Sequence, residues 1–544
     1  MKNNSSSHSP RSLLRPALKV LSLVLLVPVS AFAATFYVSP TGSDSNPGTQ
    51  AAPFRSITRA QSAASSGDTV LLRGGTYSGF TIAGSDSNYN FVHHITKSGI
   101  TYAAFTGETP IFNFAGTTTA KRVAAFRIAT GVSNVTFRGF QVVGVPVGSQ
   151  KQSECFRIQG NAHFDRVVCR DGQANGFYFT TDGSGSCTNC DAYNLIGVGQ
   201  SVGNTDGFGA HAGAVTFTGC RSWNNSDDGF DCISTSGQVI FDHCWAYNMR
   251  NGGDSNGFKV GGYGLTGAVA NPMPSHIVRF CLSANNGSNG FYANHQPGKA
   301  ADWTNNTAYN NGNANFNMLE QVSTTNRTDI PGTREVFHYN IAFTGTTIAN
   351  DNNPASNKTN NSWTKSGVSV TSADFQSLDA TQITAARQAD GSLPVIAFMR
   401  LTSGSDLAGM GCFTGSTPTP NTYQAESAAA SGGVTFDSNN SGFHGTGFAN
   451  FPASGGTLTF NSVDGNGGGA KSLAIRYANG GTASRTGTIT VNGMSANITF
   501  NPTGSWTTWA TLNVNITLNN NASNTIAFSS VGNDLGNIDE ITVP

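Results

Sequence analysis

The most constraining feature of this chain is a short motif that keeps returning. Gly-Phe closes at Phe177, Phe208, Phe230, Phe258 and Phe291, and a degenerate Asn-Phe closes at Phe316. Its spacing runs from the low twenties to the low thirties, the range of a solenoid period with loop insertions. Interleaved with it is an apolar-Phe-Cys pattern, read in Phe164 to Cys169, Val215 to Cys220, Val239 to Cys244 and Val278 to Cys281. Short Val/Ile/Phe runs separated by Asn/Gly turns cannot bury a core alone and must stack on their neighbours. Helical periodicity is absent, and the turns are not regular enough for hairpins throughout. The expected class is therefore all-β, with a parallel β-helix in which like residues stack above like. Cys169, Cys190, Cys220, Cys244 and Cys281 would form an internal column, packing as small hydrophobes before forming disulfides. Nine cysteines leave at least one thiol unpaired within the chain. Cys187-x-x-Cys190 has no second pair at zinc-finger spacing.

The flanks of the repeat divide the chain further. Arg11, Arg15 and Lys19 precede an apolar run from Val20 to Val29, and Ala31-Phe32-Ala33 offers small residues for cleavage. Residues 1–34 read as a secretory signal peptide, the run being short of a membrane span. The protein is expected to be secreted, to the exterior or the periplasm. The β-helix is placed at residues 35–413, opening with a strand at Phe36-Tyr37-Val38 and a capping helix over residues 57–65. A Pro/Thr linker spans residues 414–422. Residues 423–544 alternate apolar and polar side chains, as in Leu473-Ala474-Ile475-Arg476-Tyr477, and suggest a β-sandwich.

Only 11% of residues are charged, and Lys+Arg equals Asp+Glu at 30 each. That excludes salt-bridged coiled coils, and the absence of a Lys/Arg run argues against nucleic acid or an anionic membrane as partner. Against this background, Asp227-Asp228-Gly229-Phe230-Asp231 is a dense acidic cluster, preceded by Asp206-Gly207-Phe208 and followed by Asn256-Gly257-Phe258-Lys259. If Gly-Phe marks one position of the coil, Asp206 and Asp228 share the slot before Gly on adjacent rungs. Asp231 and Lys259 share the slot after Phe. Rungs lie about 4.8 Å apart, so four carboxylates and one lysine converge. One lysine cannot neutralise four carboxylates, whereas Ca²⁺ takes six to eight oxygen ligands in flexible geometry.

These segments resemble polysaccharide lyase family 9, the calcium-dependent pectate lyases built on a right-handed parallel β-helix. The resemblance covers most of residues 35–412. It implies that Asp206, Asp227, Asp228 and Asp231 hold calcium and that Lys259 is the Brønsted base. His211, where some relatives would carry lysine, and Asn256 are assigned to substrate contacts. The implied reaction is β-elimination on α-1,4-linked galacturonan, an acidic plant cell-wall polysaccharide, by a monomeric enzyme. Two alternatives stay open: a polygalacturonase-like hydrolase using two of these aspartates, and a non-catalytic carbohydrate-binding β-helix.

The C-terminal segment resembles carbohydrate-binding modules of families 6 and 35. It does so in Tyr423-Gln424-Ala425-Glu426, Gly442-Phe443-His444-Gly445-Thr446-Gly447, Trp506-Thr507-Thr508-Trp509 and Asn537-Ile538-Asp539. The resemblance implies a structural calcium at Gln424, Glu426 and Asp539. Trp506 and Trp509 read equally as core and as sugar platform.

Overall fold

The computed structural model describes Met1 and residues 33–233, 235–262, 274–294, 301–319, 335–351, 353, 355–413, 421–465, 469–519 and 523–543. The expected leader, except for Met1 and its last two residues, and residues 414–420 of the expected linker lie outside this set.

From Thr35 to Thr359 the chain winds through three sheets of twelve, ten and eleven strands. One coil shows the plan: Asn161–Asp165, Val168–Gly172 and Asn175–Phe179 each enter a different sheet. Every pair in these sheets is parallel except Gly84–Ser85 with Tyr89–Ile95. The fold is a parallel β-helix.

The corners explain the composition. One residue per coil turns the chain out of the twelve-stranded sheet with φ between +53° and +61°: Arg166, Asn189, Gly219, His243, Phe280, Asn305, Tyr339 and Asn360. Asn224, Asn248, Asn285 and Asn310 do the same, at φ of +52° to +58°, where the chain leaves the ten-stranded sheet. This conformation costs an ordinary L-residue about 1–2 kcal/mol, and Asn and Gly adopt it most readily.

Inside, the Gly-Phe phenylalanines stack. Phe126, Phe156, Phe177, Phe208, Phe230, Phe258, Phe291 and Phe316 form a continuous column with centroids 4.7–5.3 Å apart. The cysteine column is shorter than expected. Cys190, Cys220, Cys244 and Cys281 occupy one slot, because each carbonyl accepts the amide that follows the next member. Cys169 does not belong to it. Val167 holds that slot, and Cys169 pairs with Ala192, two residues further along. The spacing carries the reason: five residues separate Phe164 from Cys169, but three separate Phe217 from Cys220 and Phe241 from Cys244. Beyond Cys281 the column continues as Asn306, Asn340 and Asn361, whose amides bond one to the next at 3.0 and 2.8 Å. All nine cysteines are buried and free.

The capping helix is Ile57–Ala63, shorter than read, with the Ser56 hydroxyl accepting the Arg59 amide. After Thr359 the chain runs irregularly back over the outer face of the ten-stranded sheet. Phe375, Ile383, Phe398 and Met410 pack there against Trp245, Leu282 and Ile341. Arg387 reaches Asp191 at 2.7 Å beside the buried Arg221–Asp191 pair. That face is thereby closed, while the outer face of the eleven-stranded sheet carries Tyr178, Asp231, Lys259 and Tyr292 along one line.

The C-terminal segment is a β-sandwich of two antiparallel sheets with its own core, including Leu473, Ile489, Phe500, Phe528 and Ile541. Its first strand is Asn421–Gln424, paired with Asn537–Val543, so Asn421 and Thr422 already belong to the sheet. Trp506 and Trp509 are half-buried outside that core, with Arg485 over one ring and Arg476 over the other.

Candidate active site

The slot before Gly is a hydrogen-bonded ladder. Asn175 Oδ1 accepts the Asp206 amide at 2.7 Å, Asp206 Oδ1 that of Asp228 at 3.1 Å, and Asp228 Oδ1 that of Asn256 at 2.8 Å. Asn256 Oδ1 in turn accepts the Asn289 amide at 3.2 Å. Two of the ladder's five members are therefore aspartates where asparagine would satisfy the same bonds. A carboxylate in a position that needs only an amide oxygen points to a use for its charge.

The other two acids are anchored the same way. Asp227 Oδ1 accepts the Asp254 amide at 2.6 Å and Asp231 Oδ1 the Ile233 amide at 2.8 Å. Each of the four carboxylates is thus fixed by a backbone N–H on one oxygen and can present the other. Ligand atoms of Asp206, Asp227 and Asp228 all lie within 4.8 Å of one another, as do those of Asp206, His211 and Asp231. All four aspartates are buried. Burial first, and the negative neighbours Asp227, Asp231 and Asp228 next, push Asp206 well above the carboxylate range. Asp227 moves up for the same two reasons, and burial raises Asp228 although Lys259 pulls the other way.

Lys259 sits in register with Asp231. Its Nζ lies 3.1 Å from Asp228, 3.6 Å from Asp231 and 2.8 Å from Asp254. Burial alone would lower its pKa, but Asp231, Asp228 and Asp254 outweigh burial and raise it. The lysine is an ammonium in this arrangement, held by carboxylates that it cannot fully neutralise. The donor set fits a hard divalent cation: anchored carboxylates, convergent second oxygens and an excess of negative charge.

His211 and Asn256 both lie at the cluster. The His211 Nδ1 lies 3.1 Å from the Ile233 carbonyl, which fixes the proton there. Among the described residues its buried Nε2 has no hydrogen-bond partner, and it lies beside Asp206 and Asp231, so His211 belongs to the acidic cluster. Asn256 was expected to touch substrate, but its side chain is spent in the ladder. Nδ2 donates to Asp228 at 2.9 Å and Oδ1 accepts from Asn289 Nδ2 at 2.8 Å. Its role is to orient Asp228. Asp254, which the repeat does not mark, is the further member: it pairs with Lys259 and its amide anchors Asp227.

In the sandwich, Gln424 Oε1 and Glu426 Oε2 are buried and have no hydrogen-bond partner among the described residues. The backbone at Gly445 approaches both side chains so closely that a Cβ there would lie 2.2 Å from Glu426 and 2.6 Å from Gln424. Asp539 is fully buried and engaged by Arg476 and by the His444 amide. Ligand atoms of His444, Asp539 and Glu540 lie within 4.8 Å of one another in this region.

Residues 36–340 match the family model described as the Pel9A-like right-handed β-helix region, and residues 457–543 match a CBM13-like domain of alpha-galactosidase. Pectate lyase L of Dickeya chrysanthemi is 29% identical over 395 residues, 69% of this chain and 85% of that protein. Among solved structures, a rhamnogalacturonan lyase is 33% identical with a TM-score of 0.65, covering 70% of this chain and 100% of that one. The pectate lyase Pel9A is 27% identical with a TM-score of 0.55, covering 70% and 92%. With the family model spanning more than half of its length, a parallel β-helix beneath it and a carbohydrate-binding domain behind, this chain belongs to the Pel9A-like right-handed β-helix family and is a polysaccharide lyase.

Proposed function

We propose that the chain is a secreted, calcium-dependent pectate lyase that cleaves α-1,4-linked galacturonan by β-elimination, with Lys259 as the base. The observation that carries this reading is Lys259 Nζ within ion-pair reach of Asp228, Asp231 and Asp254, one rung from an acidic cluster of anchored carboxylates.

A uronate carries an acidic C5 proton beside its carboxylate, and the 4-O-glycosyl group lies β to the resulting carbanion. Asp206, Asp227, Asp228 and Asp231 would hold calcium, which would neutralise charge and polarise the substrate carboxylate as a Lewis acid. Lys259 must be neutral to take the C5 proton at Nζ, and its raised pKa sets that requirement against it. Carboxylates committed to a cation pull less strongly on the ammonium. The remaining excess keeps the working range alkaline. A hydrolase would need one protonated and one ionised carboxyl flanking the bond, and it leaves Lys259 without a task.

A second reading has its own support: the rhamnogalacturonan lyase is 33% identical, against 27% for Pel9A. The same base and cluster would serve there, since that polymer also carries galacturonate. The test is incubation with polygalacturonate and, separately, rhamnogalacturonan, following absorbance of unsaturated ends with calcium and with a chelator. Polygalacturonate should yield chelator-sensitive product, and Lys259→Ala should lower kcat by about 10²–10⁴-fold. Chelator-resistant turnover, or a variant that keeps its rate, would defeat the assignment.

A further inference from the structure

Two strand-entry segments on the site's own edge bring three cations together in a chain poor in charge, and a third adds a glutamine. Lys121 and Arg122 open the strand Arg122–Ile128, Lys151 precedes Glu154–Ile158, and Gln200 lies in the 3₁₀ turn Gly199–Asn204 that leads to Asp206. With neighbouring loop residues they line an open cleft of about 330 Å³, and no lining residue is acidic.

The cations form no direct ion pair with a carboxylate among the described residues, Arg122 reaching the buried Glu154 only through the Tyr89 hydroxyl. Lys121 Nζ donates to the Asp86 carbonyl and Arg122 Nη1 to the Tyr89 hydroxyl at 3.3 Å. Among the described residues, no ion pair reaches Lys121, Arg122 or Lys151. Three like charges around one cleft repel and focus a positive potential that an anion would relieve.

The position of the cleft suggests which anion. Arg122–Ile128, Glu154–Ile158, Asn175–Phe179 and Phe208–Ala210 are successive neighbours in the eleven-stranded sheet. Along the stacking direction the entry to the first is therefore three ladder steps, about 14 Å, from the entry that carries Asp206, with Ala124 in the slot of Asp206 and Arg122 two residues upstream. A 1,4-linked pyranose unit is about as long as one step. A polymer lying along this edge with one carboxylate at the acidic cluster would bring another, about three units away, to the cleft.

We propose that Lys121, Arg122 and Lys151, with Gln200, form a distal subsite that binds a carboxylate of an acidic polysaccharide whose cleavage point lies at the Asp206–Lys259 cluster. The subsite rests on the acidic-polysaccharide reading above and adds a length and charge requirement to it. It draws the polymer in and fixes its register, while the chemistry stays with Lys259 and the aspartates.

The decisive comparison is wild type against the double variant Lys121→Gln/Lys151→Gln, with Arg122 kept because it bonds Tyr89. KM and kcat are measured on long polygalacturonate, on rhamnogalacturonan and on a trimeric galacturonate too short to span. The KM for long polymer should rise about tenfold with kcat retained, its dependence on salt should flatten, and the rise should be much smaller on the trimer. Lys121→Arg/Lys151→Arg should restore the wild-type KM. An active wild type whose glutamine variant keeps its KM on polymer, or loses equally on trimer and polymer, overturns the subsite alone. A wild type inert toward both polymers overturns the acidic-polysaccharide reading, and the subsite with it.

Discussion

Asp228 belongs to two structures at once. One oxygen completes a ladder that asparagine could complete equally well, and the other faces Lys259. Substitution separates the two roles. Asp228→Asn should keep the ladder and the unfolding midpoint in chelator, yet lower calcium affinity at least tenfold by calorimetry and abolish turnover. Asp228→Ala should lose calcium as well and also destabilise the fold by about 1–3 kcal/mol, because it orphans the buried Asn256 amide. Equal destabilisation by Asn and Ala would remove the ladder from the account. Further along the same slot Glu154, fully buried, is pushed up to about 7 by burial despite Arg157, Tyr89 and Arg122. Its folded pKa exceeds the ordinary 4.5, so its stabilisation is complete below that pH and is lost as pH rises through about 7. The loss should approach roughly 3 kcal/mol. With calcium saturating, urea midpoints of wild type should fall between about pH 5 and pH 8 more than those of Glu154→Gln; parallel profiles would contradict this. The cluster was legible in the sequence because Gly-Phe sets the register of Asp206, Asp228, Asp231 and Lys259. Asp254 was not, since it lies in a connection of irregular length that holds no repeated slot.

The strand is too small a unit to explain this β-helix; the column is the element that matters. Phe stacking, the cysteine slot that becomes an asparagine ladder, and the left-handed corners each run across many coils. Repetition makes such columns readable from sequence, and one miscounted gap is enough to misplace a member, as with Cys169. The covering segment after Thr359 had no such signal: its apolar residues follow no period and are specified only by the sheet face they cover. The columns also fix the state of the thiols. Each cysteine is buried and free; burial raises Cys232 and Cys412, while at Cys220 burial is outweighed by hydrogen bonds with Cys190 and Cys244, which lower it, so it is burial that keeps reagents from the thiols. Native protein should therefore react negligibly with a thiol-titrating disulfide reagent, while the chain unfolded in guanidinium should release nine equivalents. Reductant should leave the thermal midpoint unchanged; a drop would reveal a disulfide where the structure has free thiols.

The β-helix and the sandwich have cores of different construction. The β-helix core is built from stacked aromatic and aliphatic columns, and the sandwich core from residues between Ala425 and Val543, with no member shared. Separate cores imply separate folding units, and the Pro/Thr composition of residues 414–420 suits a tether. A tether matters where the substrate is a solid, because holding a catalytic unit near an insoluble surface raises its effective concentration there without any new contact at the cluster. On soluble oligomers the same tether contributes nothing, since diffusion already supplies substrate. Removing residues 414–544 should therefore leave kcat on short oligogalacturonates within about twofold and lower the rate on insoluble, plant-wall-like pectin by about tenfold or more. The isolated sandwich should unfold cooperatively and bind a uronic-acid-containing or galactan-type glycan weakly. That binding should be calcium-sensitive if Gln424 and Glu426, whose buried oxygens lack partners among the described residues, hold an ion. Rates on both substrates from one truncated preparation decide the matter. Equal losses on oligomer and solid would mean that the sandwich stabilises the β-helix, and that targeting is not its task.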